Sequence, residues 1–150
     1  GLNRFYLEGT SGRVGASWMT KEERLIDIED NIRYIRRVVD HCSKTYENIH
    51  LVGFSQGAAT AARAFDKDDR VSSLSIWAGI FPPDVSELKI KNESRPLHFL
   101  LGDEDIYFNK ENQKKAVEAY TALNFKVLRY KGGHTLYPDP MAELIGLLTN

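Results

Sequence analysis

Apolar residues recur at steps of three and four from Leu25 through Ile28, Ile32, Ile35 and Val39 to Cys42, which predicts a helix with a single apolar stripe. Thr20 and Glu23 form a capping-box pattern that starts this helix at Thr20, and acidic Glu22 and Glu23 suit its positive end. Arg33, Arg36 and Arg37 fall off the stripe and read as a solvated face. Ile49 to Phe54 is a short apolar run of strand type, followed by a helix rich in small residues from Ala58 to Phe65. Further strands are predicted at Val71–Ala78, Pro96–Leu101 and Phe125–Tyr130, with helices at Asn109–Leu123 and Met141–Leu148. Residues 1–19 show no sustained period and read as a loop.

This alternation of helices and strands predicts an α/β fold, a three-layer α/β/α sandwich around a mostly parallel sheet. No repeat, low-complexity stretch or linker divides the chain, so residues 1–150 read as a single domain. In such sheets functional residues gather where strands end and loops begin.

Composition narrows the function classes. With 20 basic and 21 acidic residues the formal charge is -1, which argues against nucleic-acid binding and against attachment to membranes by basic charge. Cys42 is the single cysteine, so no internal disulfide forms; the lone thiol and mixed charge fit the cytoplasm. No apolar run reaches membrane-spanning length. His41, His50, His98 and His134 lack zinc-type spacing, and no metal is expected.

Gly53-Phe54-Ser55-Gln56-Gly57 is a G-x-S-x-G sequence between a strand-type run and a small-residue helix. A serine on so sharp a strand-to-helix turn has a strained backbone, and residues two positions either side must be small. The turn lifts the hydroxyl clear of the sheet and aims the helix N-terminus at a reacting carbonyl. Serine needs a base at neutral pH. His134, in the loop Lys131-Gly132-Gly133-His134-Thr135, is the best candidate; His50 and His98 lie in or beside strands, and His41 near a helix end. Asp103, Glu104 and Asp105 follow a strand end, and any of them could orient the histidine.

Together these segments resemble the phospholipase/carboxylesterase branch of the α/β hydrolases, which includes acyl-protein thioesterases and bacterial carboxylesterases. G-F-S-Q-G at Gly53–Gly57 matches its nucleophile turn, and Ala78-Gly79-Ile80-Phe81-Pro82-Pro83 is similar to its S-G-x-L-P-P segment. The family's G-x-x-D pattern selects Asp105, its histidine follows a glycine as in Gly133-His134, and Ser17-Trp18 resembles its tryptophan-bearing segment. The resemblance implies a serine esterase with Ser55 as nucleophile, His134 as base and Asp105 as orienting acid. It implies an oxyanion donor at the Gln56 backbone N–H and no cofactor. Trp18, Phe81, Tyr107, Phe108 and Tyr137 are aromatic candidates for lining a substrate pocket. The expected substrates are small carboxylic esters, lysophospholipids or acyl thioesters.

The family's early strands and its His-Gly oxyanion loop have no counterpart upstream of Ser55. Oxyanion donors contribute roughly 3–4 kcal/mol each, so a chain with one is expected to be slow. The expectation is a fragment of a longer protein; a natural short form and an inactive relative are the alternatives. A short form would expose the edge of its first strand and is expected to form a homodimer through it. Two rival functions are a non-catalytic hydrolase-like binding module and dienelactone-hydrolase-like lactone opening, although enzymes of the latter kind usually carry a cysteine nucleophile.

Overall fold

The computed structural model describes residues 1–149. Its central element is a parallel sheet of strands β3 (His50–Phe54), β4 (Ser73–Trp77), β5 (Leu97–Gly102) and β6 (Lys126–Tyr130), in that spatial order. Four helices cover it, α1 (Arg24–Cys42), α2 (Gln56–Asp66), α4 (Lys110–Ala122) and α5 (Pro138–Leu148), while the short α3 (Glu87–Lys91) lies in the β4–β5 connection.

The strand period of two sorts the core into two layers. Leu74 and Ile76 of β4 and Leu97, Phe99 and Leu101 of β5 face one side, where they pack with Ala58, Ala61, Ala62 and Phe65 of α2 and Tyr120 of α4. Trp77 and Leu100 face the other side and pack with Leu128 and with Leu144 of α5. β4 is buried at all its positions, as expected of an inner parallel strand. The small residues of α2 allow a close approach: a Cβ on Gly53 would lie 2.6 Å from the Ala58 Cα. β3 borders the sheet, and no further strand pairs with it among the described residues.

Three boundaries differ from the sequence expectation. Residues 1–19 are not a loop but mostly an antiparallel hairpin, β1 (Asn3–Glu8) and β2 (Ser11–Ser17). Its turn uses Gly9 at φ 59°, and Phe5 lies over its cross-strand partner Gly15, where a Cβ would come within 2.7 Å of the ring. Both faces are largely exposed, so no alternating pattern marks it. Helix α1 begins at Arg24, not Thr20. The Thr20 hydroxyl does accept from the Glu23 N–H (3.4 Å), but the returning carboxylate is Asp27, which accepts from Thr20 N (2.7 Å) and Thr20 Oγ1 (2.8 Å). Those bonds, with the backbone N–H of Thr20 first, hold the Asp27 carboxyl below its ordinary range. Helix α5 starts at Pro138, three residues before the apolar run; a proline suits the first turn, where no N–H is needed.

Candidate functional site

The β3–α2 turn holds Ser55 at φ 53° and ψ -122°, the strained conformation that the glycine pattern requires. A Cβ on Gly53 would also lie 2.6 Å from the Gly57 carbonyl oxygen. Ser55 thus stands at the C-terminal end of β3, with Gln56 opening α2. As the first residue of the helix, Gln56 has a backbone N–H with no intrahelical acceptor, at the positive end of the dipole.

His134 reaches Ser55 from the β6–α5 loop. Its Nε2 lies 2.9 Å from Ser55 Oγ and its Nδ1 lies 2.7 Å from Asp105 Oδ2. Of the three acids, the structure brings Asp105 to the histidine. Asp105 is buried, and its other oxygen accepts the Tyr107 backbone N–H at 2.9 Å. Asp103 instead pairs with Arg129, and Glu104 points to solvent while its N–H bonds Gly132 O. Phe54 and Tyr107 flank the imidazole, with ring centroids 4.8 and 4.6 Å away. These rings limit its motion and shield its bond to Asp105. With the carboxylate on Nδ1, Nε2 is free to take a proton from the serine.

The other histidines sit elsewhere. His50 Nδ1 lies 2.8 Å from Ser73 Oγ, and His98 Nδ1 lies 3.3 Å from Ser75 Oγ, both pairs between strands. Burial, and then Lys126 and His50, lower the pKa of His98. His41 occupies the last turn of α1.

A cavity of about 810 Å³ opens over Ser55 and His134. Tyr107 and Phe108 line it, as expected. Phe81 lines a neighbouring cavity instead. Trp18 and Tyr137 do not line the site cavity, which corrects the expectation for both. Trp18 packs beside the turn: a Cβ on Gly57 would sit 3.3 Å from its indole nitrogen, and its backbone N–H donates to Gln56 Oε1 at 2.9 Å. Tyr137 braces the histidine loop, its hydroxyl accepting the Gly133 N–H at 2.9 Å, and its ring lies 5.4 Å from that of Tyr130. Tyr130 in turn accepts the Trp77 indole N–H at 2.6 Å. Sequence reading missed Met19, Ile80 and Asn112 as lining residues. Met19 is delivered by the Ser17–Met19 segment, which the Gln56 side chain fastens through Ser17 and Trp18. No local pattern marks such a long-range tie.

Among the described residues no group of three or more His, Cys, Asp or Glu side chains is gathered as a metal site, and no helix is long and apolar enough to cross a membrane.

The sequence profile of the family described as Serine hydrolase (FSH1) matches residues 8–139. No curated protein sequence matches the chain. Among solved structures, a SOBER1 variant from Arabidopsis thaliana superposes with a TM-score of 0.66 at 16% identity, over 92% of this chain and 75% of that one. Esterase PE8 gives 0.57 at 21% identity, over 90% and 70%. The Bacillus cereus carboxylesterase gives 0.58 at 15% identity, over 89% and 65%. At these identities the likeness is one of fold, and it identifies the sheet and its helices as an α/β-hydrolase arrangement.

Proposed function

The chain belongs to the serine hydrolase (FSH1) family, and on that premise we propose that it cleaves carboxylic esters or thioesters through an acyl-enzyme on Ser55. The observation that carries this reading is the relay from Ser55 Oγ through His134 to Asp105, with links of 2.9 and 2.7 Å. Both lie in the range needed for proton transfer and for fixing a tautomer.

In the proposed reaction Ser55 Oγ attacks the substrate carbonyl while His134 Nε2 takes the hydroxyl proton. Asp105 keeps the other imidazole proton on Nδ1 and stabilises the imidazolium. The carbonyl oxygen becomes an oxyanion facing the start of α2, where the Gln56 N–H donates to it. Collapse breaks the bond to the alcohol or thiol, which leaves with the proton from His134. Water then attacks the acyl-enzyme, giving its proton to His134, and Ser55 is released with the carboxylic acid. No metal or organic cofactor enters this sequence. The lone thiol Cys42 and the near-neutral charge support a cytoplasmic setting.

The test is hydrolysis of a short p-nitrophenyl ester by the chain and by its Ser55→Ala variant. The expected result is turnover that the substitution abolishes. Equal rates for the two would sink the proposal.

A further inference from the structure

A second cavity, of about 370 Å³, adjoins the one over Ser55, and the two share Gly79, Ile80 and Phe108 as lining residues. It lies between the segment after β4 and helix α4, lined by Phe81, Pro82, Val85, Ala116, Ala119 and Leu123. Resting on the hydrolase reading above, we propose that this second cavity is the acyl-chain subsite, and that it takes an unbranched, uncharged chain of medium length.

Its chemistry is that of a hydrocarbon site. The Tyr120 hydroxyl is already engaged with the Gly79 carbonyl oxygen at 3.0 Å, and desolvation holds its proton in place, with a pKa well above the ordinary phenol value. Glu87 is the one charged lining residue; it is exposed, and it opposes a chain ending in a carboxylate. The floor is rigid: Phe81 meets Tyr120 and Phe125 edge-on at 6.5 and 6.2 Å. A fixed floor sets a maximum length. A water-sized group occupies about 30 Å³, so the cavity accepts on the order of ten methylenes.

Position distinguishes the acyl chain from the leaving group. The leaving group must meet His134 Nε2, which protonates it, yet His134 and Tyr107 are absent from the second cavity's lining. Gly79, at the neck, abuts the residue that keeps the acyl group: a Cβ there would lie 2.8 Å from the Ser55 carbonyl oxygen and 2.1 Å from the Ala58 Cβ. A glycine at this position keeps the neck against the nucleophile turn.

The experiment measures kcat/KM for p-nitrophenyl esters from acetate to hexadecanoate, and for alkyl acetates of matching length. Burying each added methylene is expected to raise kcat/KM up to about fourfold in the acyl series, with a plateau near ten carbons. The alkyl acetate series is expected to stay flat. Ala116→Phe fills the subsite, and Ala119→Trp narrows it from the exposed side of α4 with less risk to folding. Each should lower the decanoate-to-acetate ratio at least tenfold. A flat acyl series in a chain that turns over acetate, an unchanged ratio in both variants, or a rise in the alkyl series would each overturn the subsite and leave the hydrolase reading standing. No turnover of any ester, with no fluorophosphonate adduct on Ser55, would overturn the hydrolase reading and the subsite with it.

Discussion

Replacing Asp84 by alanine tests how the segment over the site is held. Arg63 of α2 is 3% exposed, and its only carboxylate partner is Asp84, reached through Nε (2.7 Å) and Nη2 (2.6 Å). Asp84 follows Gly79–Pro83, which lines both cavities, so this pair ties the segment to the helix behind Ser55. Removing one partner of a buried pair leaves an uncompensated charge and costs about 3–5 kcal/mol. The Asp84 side chain is half exposed (50%), so water replaces part of the lost interaction and the expected cost falls to about 2–3 kcal/mol. For a chain of this size that lowers Tm by about 4–12 °C. Asp84→Asn keeps one acceptor and is expected to lose roughly half as much.

The Arg63 hydrogen bonds hold the Asp84 carboxyl below its ordinary pKa. Its folded value is therefore below its unfolded value of about 3.9. The contribution is present above that value and lost as pH falls through the folded one. Thermal melts of wild type and Asp84→Ala should differ fully at pH 7 and converge below about pH 4. A difference under about 0.5 kcal/mol at pH 7 would refute the reasoning, because that is the range of an indifferent surface change.

Other outcomes follow from the same geometry. Asp105→Asn is expected to lower kcat about 10⁴-fold in ester hydrolysis, because the amide favours the wrong imidazole tautomer. Gly53→Ala drives a Cβ into backbone atoms 2.6 Å away and is expected to cost at least about 1–3 kcal/mol in urea denaturation. Tyr137→Phe removes the acceptor of the Gly133 N–H; a stability loss of about 1 kcal/mol is expected, with slower fluorophosphonate labelling as His134 loosens. Arg95 holds the Glu93 carboxyl down from 4.5 to about 2, worth roughly 3 kcal/mol at neutral pH. That stability is present above about pH 4.5 and lost as pH falls towards 2, so acid titration of Glu93→Gln should show a shallower slope across this window.

The nucleophile turn was legible because several local requirements coincide there: two glycines forced by crowding, a strand-type run before, and small residues after. The two core layers were legible for a similar reason, since β4 and β5 carry apolar residues on both faces. The hairpin was not, because neither face of β1 or β2 is buried and Phe5 is stabilised locally over Gly15. Nor did spacing alone separate Asp105 from Asp103 and Glu104. That choice depends on Arg129 engaging Asp103 and on the Tyr107 N–H turning Asp105 inward, both consequences of the folded loop. Trp18 and Tyr137 were expected against substrate on aromatic character; the fold uses them to pack the turn and brace the histidine loop.

The central claim is that Ser55 is an activated nucleophile, and the most direct test is intact-protein mass spectrometry after treatment with a fluorophosphonate. The account predicts a single adduct that maps to Ser55, and its loss or marked slowing in His134→Ala. No adduct on the folded chain, or one that maps to another serine, would contradict it.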